Sequence, residues 1–287
     1  MDRTTEVRKV LLLTLALNIL VSAAKIAYGY FTHSVSIFSD GFHSFFDGVS
    51  NVAGLVGVYI ASHPPDETHP YGHRKYETVF TIFIGLLMLL TCFEVFKRVY
   101  ESLERGQEAV VDAASFGVML ATMGVNIFVS VYEKRMGVKL NSEFLVADSQ
   151  HTKSDIYVSC GVIVSLVLIK LGVSLADPIA GIVVGVLVAK AGIGIIREST
   201  ETLVDRTQAD ISSIREIAQR VSGVSGCHGI RTRGTKGSIF VDLHVLVNPF
   251  LSVEDAHKIA DAVEEEIKDK IPGVVDVVVH IEPSDSA

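Results

Sequence analysis

What this sequence has little of narrows the field first. It has no excess of positive charge: Lys and Arg number 25 against 33 Asp and Glu, a formal net charge of −8. A surface for nucleic acid needs the opposite balance, so no nucleic acid is expected as a partner, whereas cations are compatible with it. Cysteine is scarce. Cys92, Cys160 and Cys227 are too few and too scattered for a disulfide framework or a C-x-x-C metal site, and the first two lie in apolar runs as small core residues. Cys227 reads as a small half-buried residue that could at most join a neighbouring ligand set. No nucleophile with a base, no oxyanion donor and no phosphate-cradling loop stands out, so the chain does not read as an enzyme.

What is present is hydrophobic. Such residues make up 49% of the chain, concentrated in the first 200 positions, and mean hydropathy is positive. This asymmetry divides the chain into a membrane part, 1–205, and a soluble part, 206–287. Six apolar segments long enough to cross a bilayer run roughly over 10–31, 35–62, 78–100, 113–132, 144–171 and 176–196. The basic residues ahead of the first resemble a signal peptide, but the apolar run extends to about Tyr30 and more spans follow, so cleavage is not expected. Asn18, Lys25, Asn51 and Asn126 interrupt the spans and read as interhelical hydrogen bonds or a snorkelling lysine.

Arg3, Arg8, Lys9, Arg74, Lys75, Lys134, Arg135, Lys139, Arg197 and Arg206 fall on one side of the membrane; chiefly Lys97, Arg98, Arg105 and Lys170 fall on the other. The richer side is expected to be cytoplasmic, which places both termini inside, in the cell or inner membrane. The second and fifth spans then run antiparallel.

Those two spans carry the repeated motif. Asp40-x-x-His43-x-x-x-Asp47 recurs 108 residues on as Asp148-x-x-His151-x-x-x-Asp155. Ionisable groups at membrane depth are costly and point to function. Positions i and i+4 share a helix face, so each copy offers one imidazole and one carboxylate in one direction. Facing each other, His43, Asp47, His151 and Asp155 make a two-nitrogen, two-oxygen shell that suits a tetrahedral transition metal, zinc above all. Asp40 and Asp148 lie on nearly the same stripe as supporting carboxylates that orient the histidines. Four protein ligands leave no vacancy for a reacting water, so transport fits better than metalloenzyme chemistry. Metal and protons compete for the same ligand atoms, which offers proton coupling through alternating access.

Between the second and third spans, a loop stiffened by Pro64, Pro65 and Pro70 brings Asp66, His69 and His73, the residue types of a three-ligand site. Lys75 beside it reads as a structural charge, for instance toward Asp205 where the soluble part begins. From Arg206 the pattern becomes α-β-β-α-β: a helix over 210–221, a strand near 226–233, an alternating strand over 238–247, a helix capped by Ser252 and running to about Lys270, and a last strand over 274–282. Gly234 and Gly237 mark the turn between the first two strands, and two helices are expected on one sheet face. His228, His244, His257, His280 and Glu282 are the candidate ligands there.

Together these features resemble the cation diffusion facilitator family across essentially the whole chain: six spans, the paired His-x-x-x-Asp motifs, the loop Pro64-Pro65-Asp66 with His69-Pro70-Tyr71-Gly72-His73 and Glu77, and a histidine-bearing C-terminal α+β domain. The resemblance implies a homodimeric divalent cation/proton antiporter that exports metal from the cytoplasm. It also implies a metallochaperone-like cytosolic domain that binds metal at the dimer interface. Zinc-type members carry His at the first position of both motifs, as here, and manganese-type members favour Asp in the first. Glu282 stands where other members carry Asp. Fe2+, Mn2+, Co2+ or Cd2+ are the alternative cargoes, and a non-transporting membrane metal sensor is the alternative function.

Overall fold

The computed structural model describes residues 3–32, 35–105, 113–170 and 176–284, with the side chains of 31–47 outside that description. The chain forms two compact units, Met1–Ser199 and Thr200–Ala287.

The first unit is built from six long helices: α1 (Arg3–Thr32), α2 (Val35–Ala61), α3 (Lys75–Arg105), α4 (Ala113–Lys139), α5 (Glu143–Lys170) and α6 (Ala176–Leu203). By length and composition, four stretches among the described residues are apolar enough to cross a membrane: Arg3–Tyr28, Lys75–Lys97, Phe116–Lys139 and Pro178–Leu203. In the described part of α2, Gly48–Ala61 is apolar. α5 carries Asp148, Ser149, His151, Thr152 and Ser154 in its first half, and all five are buried. Buried polar groups inside a span sit where the helix faces other helices rather than lipid.

Several helices outrun the apolar segments from which they were expected. α4 continues past Tyr132 to Lys139 and α6 to Leu203, since a helix needs backbone hydrogen bonds rather than apolar side chains, and its charged last turns can reach water. α4 and α5 form a tight hairpin. Asn141 takes the left-handed conformation (φ 48°), which Asn tolerates better than most residues. The Ser142 amide bonds back to the Gly137 carbonyl at 2.9 Å, and the Ser142 hydroxyl accepts from the Leu145 amide at 3.3 Å to open α5.

The end of the bundle near this hairpin is cross-tied. Arg3 donates to the carbonyls of Leu140 (2.7 Å) and Asn141 (2.8 Å) and to Glu77 Oε2 (2.8 Å). Ser142 donates to the other Glu77 oxygen, and Thr78 donates to Glu143 at 3.0 Å. The starts of α1 and α3 and the α4–α5 turn therefore share one end. The core beneath them joins Val7, Val10 and Leu11 of α1, Val58 of α2, Ile84 of α3 and Phe144, Leu145 and Ala147 of α5. Close helix approach depends on small residues: a Cβ on Gly54 would stand 2.2 Å from the Phe144 ring.

The second unit follows the expected α-β-β-α-β order: α7 (Ile211–Gln219), β1 (Val224–Thr235), β2 (Ser238–Val247), α8 (Val253–Lys270) and β3 (Val274–Pro283). β2 is central, antiparallel to β1 and parallel to β3. Asp210 caps α7 by accepting from the Ser212 and Ser213 amides, and Ser252 caps α8 by accepting from the Asp255 amide; each cap contributes on the order of 1 kcal/mol. Ile214 and Ala218 of α7 and Val263 and Ile267 of α8 pack with Ile239, Val241, Leu243, Val245 and Val247 of β2 in one core. The alternation of β2 leaves Asp242 and His244 on its other face.

Candidate metal centres

Three groups of ligand-type side chains can be followed from sequence into space. On α5, His151 is buried, Asp155 is half-buried one turn further, and Asp148 is buried one turn before. Asp40, His43 and Asp47 belong to α2, but their side chains lie outside the described residues. The two helices are tied one turn from Asp47: Asn51 Nδ2 donates to Asp148 Oδ2 at 2.9 Å. The same amide donates to Thr14 Oγ1 of α1 at 3.1 Å, and Asn18 donates to Asn51 Oδ1 at 2.8 Å. Asn18 and Asn51 thus make the interhelical hydrogen bonds expected of them. Asp148 thus accepts a hydrogen bond from α2.

The loop group is fully in view. Asp66, His69 and His73 offer ligand atoms that all lie within 4.8 Å of one another. Asp66 Oδ1 accepts from the Thr68 amide (2.9 Å), the Thr68 hydroxyl (2.8 Å) and the His69 amide (2.7 Å), a local turn that aims the carboxylate. These bonds, the Thr68 hydroxyl first, hold the Asp66 carboxyl down at about 2. His69 Nδ1 and His73 Nε2 approach opposite Asp66 oxygens at 3.4 and 3.5 Å, with ring centroids 4.4 Å apart. Gly72 (φ 80°) supplies the left-handed residue that folds the loop between them. His63, which the sequence did not single out, sets its ring 5.9 Å from His73; it follows the end of α2, with its Nδ1 3.0 and 3.1 Å from the Tyr59 and Ile60 carbonyls. Glu77 of the loop signature is engaged by Arg3 and Ser142 instead. Lys75 opens α3, and Asp205 follows α6 in a left-handed conformation (φ 63°).

In the C-terminal unit the strand register does the assembling. His228 of β1 stands opposite His244 of β2, which stands opposite His280 of β3, so three imidazoles line up across the sheet. Glu282 lies two residues beyond His280 on the same face. Its Oε2 is 2.9 Å from His228 Nε2, and its Oε1 is 2.7 Å from His244 Nδ1 and 3.6 Å from His280 Nε2. Hydrogen bonds from His244 and then His228 draw the Glu282 carboxyl below its ordinary range. His228, His244 and Glu282 form a three-ligand set within 4.8 Å. A bulge in β1 between His228 and Arg231 contains Gly229 (φ 61°), where an added Cβ would come 3.0 Å from the His244 ring. His257 is not brought to this set; it sits exposed on α8, 3.7 Å from Asp261. Cys227 packs half-buried against the domain core, and burial pushes its thiol up.

One residue escaped the sequence reading. Glu133 lies one residue past the span expected over 113–132, yet α4 holds it inside the bundle, where it is 0% exposed. A carboxylate one turn inside a basic helix end was the available signal.

A helical membrane unit with a polar motif at depth, a histidine loop at one end and a sheet-borne imidazole cluster are the parts of a metal-ion transporter. The family model for the cation efflux transmembrane domain matches residues 11–204, and that for the cation efflux protein cytoplasmic domain matches residues 207–284. An uncharacterized transporter of Methanocaldococcus jannaschii is 37% identical over 96% of this chain and 98% of its own. The manganese efflux system protein MneS of Bacillus subtilis is 30% identical over 99% of each chain. Metal tolerance protein C1 of Arabidopsis thaliana is 31% identical over 97% of this chain and 63% of its own. The chain belongs to the cation diffusion facilitator family and is an integral membrane transporter for the efflux of divalent metal cations.

Proposed function

We propose that this protein exports zinc from the cytoplasm in exchange for protons, as a homodimer, through a site formed by His43, Asp47, His151 and Asp155. The observation that carries the proposal is the Asn51–Asp148 bond at 2.9 Å. Asn51 follows Asp47 by one turn on α2, and Asp148 precedes His151 by about one turn on α5. A tie at that level supports a shared depth for the paired motifs. Two imidazoles and two carboxylates suit a tetrahedral zinc ion, and protons arriving at those ligands would release it. Asp66, His69 and His73 would receive metal at the cytoplasmic end, while His228, His244, His280 and Glu282 would hold regulatory zinc in the cytosolic domain.

Flux in proteoliposomes tests this reading. Zinc should move when a proton gradient is imposed, and both Asp47→Ala and Asp155→Ala should abolish the movement. Zinc flux that survives both substitutions defeats the assignment; binding without any flux would identify a sensor. A second reading, manganese as principal cargo, is favoured by the similarity to MneS across nearly the full length. Flux measured with Zn2+, Mn2+, Fe2+, Co2+ and Cd2+ in competition ranks these cargoes.

A further inference from the structure

His63 stands beside the loop group without belonging to it, and helix capping explains only one of its two ring nitrogens. Its Nδ1 lies 3.0 Å from the Tyr59 carbonyl and 3.1 Å from that of Ile60. Carbonyls only accept, so Nδ1 is the nitrogen that carries the proton. Nε2 is left with a lone pair, and it makes no hydrogen bond among the described residues. One imidazole nitrogen donating to a backbone carbonyl while the other stays open is how ligand histidines are commonly set. The side chain is exposed, so an ion can reach it.

Its ring neighbour in the group is His73, with centroids 5.9 Å apart and planes at 64°. Two imidazoles on one tetrahedral zinc, each with a Zn–N bond of about 2.0–2.1 Å, have ring centres about 5 Å apart. The His69–His73 separation of 4.4 Å and the His63–His73 separation of 5.9 Å fall on either side of that value. A shift of about 1 Å in each pair reaches it. His73 Nδ1 is buried and has no hydrogen-bond partner among the described residues, so the ring that both approach is also short of a partner. Only Pro64 and Pro65 separate His63 from Asp66, and their fixed φ limits how far the imidazole can drift from that carboxylate.

We propose that His63 is a fourth ligand of the loop site, closing around one ion with Asp66, His69 and His73, and that it makes this site select zinc over manganese. Three nitrogens and one oxygen form a closed shell that suits Zn2+. Without His63 the same site keeps a position for water, which suits Mn2+ better. Selection of the cargo then begins at the loop, before any ion meets the ligands within the membrane. The inference rests on the reading of Asp66, His69 and His73 as a metal site, and its test separates the two.

The full-length protein in lipid nanodiscs is titrated with Zn2+ and, separately, with Mn2+, and bound ions are counted by equilibrium dialysis. Asp66→Ala should bind one Zn2+ fewer per protomer, and its difference from the unsubstituted protein isolates the loop ion. At that ion, His63→Ala should weaken Zn2+ by about 100-fold or more, beyond the loss of about 10–100-fold for a group that only orients a ligand. Mn2+ should weaken by less than about 10-fold, since oxygen suits it better than imidazole. His63→Gln keeps an amide that can donate to the helix end and should behave as His63→Ala does, whereas His63→Cys restores a zinc ligand and should recover part of the loss. Zinc affinity unchanged in His63→Ala, or retained in His63→Gln, would overturn the ligand role, as would equal losses of Zn2+ and Mn2+. No ion lost in Asp66→Ala would defeat the loop reading itself, and the inference with it.

Discussion

The two units build ligand groups by opposite means. In the C-terminal unit, His228, His244 and His280 sit on adjacent strands in register, so the backbone ladder sets their spacing and the two-residue period sets their face. The backbones of that group cannot shift past one another without breaking sheet hydrogen bonds. In the membrane unit, Asp148 and His151 belong to α5, Asn51 to α2 and Thr14 to α1. Their mutual placement rests on helix packing and on single side-chain bonds such as Asn51 to Asp148. A group on separate helices can change shape when the helices rock. The difference teaches a division of labour: a strand-built site suits sensing or holding a metal, and a helix-built site suits opening alternately to two sides.

The sharpest way to break this comparison is Asp155→Ala in the full chain, which should lower zinc flux by at least about 100-fold, as loss of a transition-metal ligand costs more than the 10–100-fold of a supporting group. Zinc binding at the C-terminal group of the same preparation should be unchanged, as read by calorimetric titration. Conversely, Glu282→Gln should weaken zinc binding at that group by about 10–100-fold, because Glu282 touches all three imidazoles. The membrane unit should still move zinc in the flux assay.

Packing supplies a smaller contrast. Gly54→Ala forces a Cβ toward the Phe144 ring, 2.2 Å away as placed, and should destabilise the membrane unit by about 1–3 kcal/mol, the usual range for overpacking. Thermal unfolding followed separately in the two units should show a lowered midpoint only in the first. The least effect is expected in the loop. Asp66→Asn should speed hydrogen exchange at the Thr68 and His69 amides without changing the melting of either unit. The carboxyl is held at about 2 against an ordinary 3.8; a depressed folded value means that its contribution is complete above about pH 4 and fades as pH falls through 2. Protection of those amides should therefore be flat from pH 4 upward.

Much of this was legible in the residues themselves. The alternation of 238–247 and the cap at Ser252 located β2 and α8 to the residue, because period-two burial and N-capping are local effects. The loop triad was also readable, since Asp66, His69 and His73 lie within one short turn. Glu133 was not. Its neighbours Lys134 and Arg135 read as loop residues, and only the structure shows α4 running on to Lys139 with Glu133 buried. The separation of His257 from the other histidines was equally invisible, because composition places five candidate ligands in one small domain without saying which helix face meets the sheet.

By itself the sequence determined the number of long helices, the order of elements in the C-terminal unit and the identity of the repeated motif, all properties of local periodicity and residue chemistry. Only the tertiary structure decided which groups meet: three imidazoles by strand register, and Asn51 with Asp148 by helix contact. Contacts between residues distant in the chain depend on how elements pack, and packing is a property of all their surfaces together rather than of any one segment.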